Sequence, residues 1–287
     1  MNSTHSLPTP RPEVHGHRGC RGLLPENTLP AFQRALELGV DALELDIVVS
    51  QDGQLVVSHE PWLSAKLGRG PQGQLIDFTN ERDYNLYQMP YAAIRQCVVG
   101  EWPHPDFPAQ QPVPSHRPLL REVFALAEAQ QRPPSCPAPR YSLEVKSSPE
   151  GDNTYHPTPA VFVGLVLAEL RAAGVLARTT LLSFDPRVLR AAHQAQPDLA
   201  LCLLIEDQLP PVPALFSELG FEPATLGPDF CLLSAATARA IRASYPALRL
   251  VPWTVNSPAD MHLVRSWEVD GITTDYPDRL LKLLNRL

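Results

Sequence analysis

Along most of this chain, short apolar runs alternate with stretches in which apolar residues recur every three or four positions. The short runs predict strands over residues 14–17, 41–48, 55–59, 141–146, 179–183, 199–205, 230–233, 248–254 and 271–274. A strand covered on both faces reads as a continuous apolar run, and one with a polar face reads with a period of two. The longer period predicts a helix from Leu29 through Phe32, Ala35 and Leu36 to Gly39, opened by Asn27 or Thr28 as cap. Further helices are predicted over 119–130, 159–173, 186–194, 235–244, 258–267 and 277–287, several with proline in the first turn.

Strand and helix patterns that alternate in this way are the sequence form of βα units around a parallel sheet. Seven or eight such units close most economically as a (β/α)8 TIM barrel, and 287 residues suffice for one such domain. An open doubly wound sheet would call for a glycine-rich phosphate loop, which the sequence lacks. Residues 61–118 break the rhythm, being rich in proline, glycine and tyrosine without a clear period. They read as a segment inserted after the second strand region, beside the barrel mouth. Trp62, Tyr84, Tyr87, Tyr91, Trp102 and Phe107 are its candidates for a substrate wall or a lipid-facing surface, but the small core of a cap is the simpler role for most of them. Residues 1–12 read as a disordered tail, and 13–287 as the barrel with its insertion.

Polar side chains interrupt the strands in a regular way. In Ala42-Leu43-Glu44-Leu45-Asp46-Ile47-Val48, a period of two sends Leu43, Leu45 and Ile47 to one face and both carboxylates to the other. Tyr141-Ser142-Leu143-Glu144-Val145-Lys146 divides the same way, with Glu144 and Lys146 inward. Three converging carboxylates repel one another unless a cation sits among them, and an all-oxygen donor set suits one divalent ion, Mg2+ or Ca2+. The competing reading is a pair of buried salt bridges to Arg18 and Lys146. His17 and His59 fall at or beyond strand ends, where barrel enzymes keep their catalytic groups, and imidazole exchanges protons near neutrality. His5, His15, His104, His116, His156, His193 and His262 lack a neighbouring carboxylate cluster and read as structural. Arg18 and Lys146 suggest an anionic substrate, and Trp253 an apolar wall of the site.

Composition narrows the partners. A formal charge of -7 with no Lys or Arg block argues against a nucleic-acid partner. No apolar run reaches the roughly 20 residues of a transmembrane helix. Cysteines at 20, 97, 136, 202 and 231 lack the short spacings of a zinc site or disulfide scaffold and read as free thiols. The polar N-terminus has no secretory pattern, which predicts a cytoplasmic protein as written, or a periplasmic or secreted one if a leader has been removed.

The motifs taken in order resemble the glycerophosphodiester phosphodiesterase family. They are His17-Arg18-Gly19, Pro25-Glu26-Asn27-Thr28, Glu44 with Asp46, Asp52-Gly53 before Val56-Val57 and His59, and Glu144 with Lys146. Ser183-Phe184, Trp253-Thr254-Val255-Asn256 and Gly271-Ile272 with Thr274-Asp275 complete the set. The resemblance implies a TIM barrel, a divalent cation on Glu44, Asp46 and Glu144, and His17 and His59 as acid and base. It further implies Arg18 and Lys146 as phosphate partners and Trp253 as a substrate contact. The implied reaction cleaves a small glycerophosphodiester to glycerol 3-phosphate and an alcohol, with a glycerol hydroxyl as internal nucleophile and a cyclic phosphate that water opens. The sequence departs from the family in Glu60, where aspartate is usual, and in Trp62-Leu63-Ser64-Ala65-Lys66, which replaces the customary arginine and threonine. Alternatives are a phospholipase D-like or lysophospholipase activity on lipids, and a non-catalytic phosphate or polyol binder.

Overall fold

The computed structural model describes residues 11–130 and 137–287, so most of the expected N-terminal tail and Cys136 lie outside the described residues. Among the described residues, eight parallel strands form the barrel: β1 (Glu13–Gly16), β2 (Ala42–Val49), β4 (Arg140–Val145), β5 (Thr179–Ser183), β6 (Ala200–Ile205), β7 (Thr225–Pro228), β8 (Arg249–Leu250) and β9 (Gly271–Thr274). A ninth strand, β3 (Leu55–Val57), turns back antiparallel on β2, with Ile47 opposite Val57. The spatial order is β8-β7-β6-β5-β4-β2-β1-β9. Backbone bonds from Asp270 N to Leu250 O (2.9 Å) and from Thr273 N to Pro252 O (3.0 Å) tie the two ends of that order together.

Helices α1 (Leu29–Leu38), α3 (Leu120–Ala129), α4 (Pro159–Ala172), α5 (Pro186–Ala195), α6 (Val212–Leu219), α7 (Ala235–Ser244), α8 (Pro258–Arg265) and α9 (Pro277–Leu283) follow the strands, and the short α2 (Tyr91–Ile94) belongs to the insertion. Their ends obey local chemistry. The Thr28 hydroxyl accepts from Ala31 N at the start of α1, and Gly39, at φ 88°, closes it. Asp185, Ser234 and Ser257 cap α5, α7 and α8 in the same way. Every residue of β2 is buried: Leu43, Leu45 and Ile47 pack in the main core, while Glu44 and Asp46 face the barrel axis.

Three elements differ from the expectation. The stretch 230–233 is a 3-10 turn, Phe230–Leu232, and the seventh strand lies earlier, at Thr225–Pro228. Gly227 and Pro228 look like a turn in sequence, yet a Cβ on Gly227 would stand 2.8 Å from Leu204 Cδ2 and 3.0 Å from Cys202 Sγ. This glycine is a strand residue where neighbours press close. Strand β8 is short because Pro252 has no N–H for the ladder. Helix α6 went unpredicted because the prolines around it resemble a loop, although Pro213 occupies a permitted first-turn position.

The segment 61–118 builds its own small core. Leu63, Ile76, Leu86, Tyr91, Ile94 and Cys97 pack on Val48, Val56 and Leu119, with Tyr84 against them. Phe107 joins the main core instead, and Trp62 lines the barrel cavity. Among the described residues no helix is long and apolar enough to cross a membrane.

Candidate active site

The carboxylates meet because of strand register. Asp46 of β2 sits opposite Glu144 of β4, and Glu44 lies two residues earlier on the same face of β2. One oxygen from each of Glu44, Asp46 and Glu144 lies within 4.8 Å of the others, and all three residues are buried. Burial, with Asp46 and Glu144 alongside, drives the Glu44 carboxyl well above its ordinary range. Burial also raises Glu144, against the pull of Lys146. Asp46 goes the other way, because Lys146 and Arg18 together outweigh its burial and hold it well below the usual carboxylate range.

The salt-bridge reading is also realised, incompletely. Lys146 Nζ lies 2.6 Å from Glu144 Oε1 and 3.0 Å from Asp46 Oδ1, and Arg18 Nε is 3.2 Å from Asp46 Oδ2. The alignment is poor, so the buried Asp46 Oδ1 and Arg18 Nε both lack a hydrogen-bond partner among the described residues. Asn27 Nδ2 donates to Asp46 Oδ2 at 2.8 Å, and the Arg18 amide donates to Glu44 Oε2 at 2.8 Å. An orphaned carboxylate oxygen among three carboxylates fits a hard divalent cation better than a closed ion-pair network.

The two histidines are backed by carboxylates that sequence reading had given no role. His17 Nδ1 is 2.6 Å from Asp275 Oδ1, 258 positions away in the chain. Asp275 is fully buried and also receives Arg21 Nε (2.8 Å) and Asn256 Nδ2 (2.7 Å). Its carboxyl is held far below the ordinary range by His17 and Arg21 despite burial. Burial pulls His17 down to about 4, although Asp275 opposes this, so the ring is neutral near pH 7. Its Nε2 lies 3.8 Å from Glu44 Oε2. His59, two residues beyond β3, has Nδ1 2.8 Å from Glu60 Oε1 and a side chain about a third exposed. In each case a carboxylate on Nδ1 favours the tautomer that leaves Nε2 as the working atom.

Arg18 is turned partly away from the open cavity, with Nη1 donating to Glu26 Oε1 at 2.8 Å. Burial would raise the Glu26 carboxyl, but Arg18, Arg21 and His59 outweigh it and pull the group down to about 2. Trp253 Nε1 donates to Gly227 O at 2.8 Å, and its ring meets Phe184 edge-on at 5.5 Å. All the sequence-selected residues except Asp46 line one cavity of about 680 Å3 at the C-terminal ends of the strands, with Trp62 and Tyr155 on its wall. Asp46 touches it through its partners. The cavity continues down the axis to His15 and Arg249, past Ala42, Ser142 and Thr225, which are too small to fill the barrel.

Three comparisons with known proteins agree with this arrangement. The model of the glycerophosphoryl diester phosphodiesterase family matches residues 17–279. The chain belongs to that family. A Bacillus subtilis glycerophosphodiester phosphodiesterase is 28% identical over 281 residues, covering 93% of this chain and 84% of the relative. One from Caldanaerobacter subterraneus subsp. tengcongensis is 29% identical over 273 residues, covering 95% and 98%. Among solved structures, a Silicibacter pomeroyi chain described as a glycerophosphoryl diester phosphodiesterase superposes with a TM-score of 0.83 at 32% identity, covering 97% and 94%. Family membership makes the chain a phosphodiester hydrolase on a TIM barrel, with an acidic group suited to a divalent cation.

Of the residues that sequence reading had passed over, Asp275 and Glu26 stood inside quoted motifs without a role. Glu60 was noted only as a departure from the family. The one available signal was a carboxylate placed directly after a strand end or in a cap turn.

Proposed function

We propose that the protein hydrolyses small glycerophosphodiesters to glycerol 3-phosphate and an alcohol. The observation that carries the reading is that three buried carboxylates and two carboxylate-backed histidines surround one cavity. An Oleispira antarctica phosphodiesterase of the same fold (TM-score 0.74, 19% identity) is seen in complex with the product sn-glycerol-3-phosphate, which supports the choice of product.

Glu44, Asp46 and Glu144 would hold one divalent cation, whose chemistry is to neutralise charge on the phosphoryl oxygens. Lys146, and Arg18 by its outward edge, add positive charge beside the phosphate. His17, kept neutral by burial, takes the proton of the glycerol hydroxyl that attacks phosphorus, with Asp275 stabilising the resulting imidazolium. His59 gives a proton to the departing alcohol oxygen. Water then opens the cyclic phosphate with the two proton transfers reversed. Trp253 and Phe184 keep an apolar wall against the substrate carbons.

The test is release of glycerol 3-phosphate with Mg2+, Ca2+ or a chelator. Chelation is expected to abolish turnover, and His17→Ala and His59→Ala to reduce kcat by about 10² or more each. Full turnover after thorough chelation, or losses below tenfold, would refute the assignment.

Action on lysophospholipids is a second reading, favoured by Leu75 and Phe78 in the insertion, which are 68% and 69% exposed. A human lysophospholipase D matches 52 residues of the chain at 48% identity. This reading requires activity that rises once the lipid forms micelles and falls when Leu75 and Phe78 are replaced by Ser.

A further inference from the structure

Arg117 stands one residue before the backbone bond that joins the end of the insertion to β3, from Val57 N to Pro118 O at 2.8 Å. Its side chain is only 4% exposed. Among the described residues it has no carboxylate within ion-pair distance. Its hydrogen-bonded side-chain partner is Ser58, with Nε donating to Oγ at 3.2 Å, while the buried Nη2 has no acceptor among the described residues. Burial lowers the Arg117 guanidinium from its ordinary value, opposed at longer range by Cys97, Glu26 and Glu60. Arginine nevertheless stays charged, and a buried unpaired charge is among the least stable arrangements a fold retains. Such a departure from the rules of packing calls for a compensating role.

The contacts indicate what that role is. Ser58 Oγ accepts from Arg117 and donates its own proton to the Glu60 carbonyl at 2.8 Å. The Ser58 amide is bonded to Asp46 O at 3.1 Å. The turn Ser58-His59-Glu60 is therefore held at its start by β2 and folded on itself by a hydroxyl whose orientation Arg117 sets. Among the described residues, the polar partner of the His59 ring is the Glu60 carboxylate, borne on that same turn. Against the back of the turn lies a cavity of about 20 Å3, bounded by Arg117, Ser58, His59, Glu26 and Gln110. It has room for about one water.

We propose that Arg117 is a positioning residue for the His59 half of the reaction, acting through Ser58 to fix the turn that carries His59 and Glu60. This rests on His59 taking part in proton transfer. A misplacement of about 1 Å in a proton donor is enough to cost about 10²-fold in rate, with little effect on substrate binding.

The experiment is steady-state kinetics at saturating Mg2+ on Arg117→Met, Arg117→Lys, Ser58→Ala and the Met/Ala double variant, with His59→Ala as reference. Arg117→Met and Ser58→Ala are expected to lower kcat at least tenfold with KM within about threefold. The double variant should lose no more than the worse single one, because both cut the same link. Arg117→Lys, which keeps a charged donor within reach of Ser58, should recover most of kcat. Full kcat in Arg117→Met beside an inactive His59→Ala would overturn the positioning role and leave the proposed function standing. Losses that multiply in the double variant, or that follow thermal stability across the set, would also overturn it. An active His59→Ala would overturn the proton-transfer reading itself. If Arg117→Met does not fold, Arg117→Lys and Ser58→Ala decide the matter by the same split between kcat and KM.

Discussion

The His17 side and the His59 side of the cavity use the same pair of groups, an imidazole with a carboxylate on Nδ1, in opposite settings. His17 is buried, and its partner Asp275 is clamped by Arg21 and Asn256 from the loops that follow β1 and β8. His59 is about a third exposed, and its partner Glu60 is the next residue on the same turn. The difference teaches that a short carboxylate contact does not by itself determine how well a catalytic ring is held. What matters is whether the carboxylate is anchored independently of the histidine it serves. Asp275 is anchored by the barrel. Glu60 moves with His59 unless something behind the turn, here Ser58 and Arg117, restrains both.

The comparison predicts unequal effects from equal substitutions. Asp275→Asn should cost about 10²–10³ in kcat, because it permits the wrong His17 tautomer and removes one of the two buried carboxylates that face Arg21. Steady-state kinetics check this, and a loss under tenfold would mean that Asp275 only packs.

The next effect is on stability. Glu26 titrates at about 2 in the fold against 4.5 as a free side chain. A carboxyl with a depressed folded pKa stabilises above the unfolded value, and the contribution is lost as pH falls from 4.5 towards 2. About 3 kcal/mol at neutral pH is at stake. Glu26→Gln should therefore lower Tm at pH 7 and narrow its gap to the parent as the buffer approaches pH 3. An unchanged gap between pH 7 and pH 3 would remove Glu26 from the account.

The smallest effect is expected at Glu60. Glu60→Gln keeps an acceptor oxygen beside a partly exposed ring whose turn is held from behind, so kcat should fall less than tenfold in the same assay. A loss equal to that of Asp275→Asn would erase the contrast between the two sides.

Much of this site was legible in the chain. The period of two in residues 42–48 and 141–146 placed Glu44, Asp46, Glu144 and Lys146 on one face without any knowledge of the fold, and the alternation of strands and helices pointed to the barrel. The misreadings have a common source. Gly227 and Pro228 resemble a turn until Leu204 and Cys202 are seen pressing on them from the neighbouring strand. The prolines around α6 resemble a loop until the helix is seen to bury Val212, Phe216 and Leu219.

Local sequence thus determined which side chains share a face of a strand, where helices begin, and that carboxylates and imidazoles occur after strand ends, because backbone geometry couples only near neighbours in the chain. Closing the barrel decided that Asp275 stands behind His17, and tertiary packing decided that Glu26 engages Arg18 and that Arg117 reaches Ser58 across 59 positions. The physical reason is that these pairings depend on strand register and burial, and burial removes the water that would otherwise satisfy each group alone.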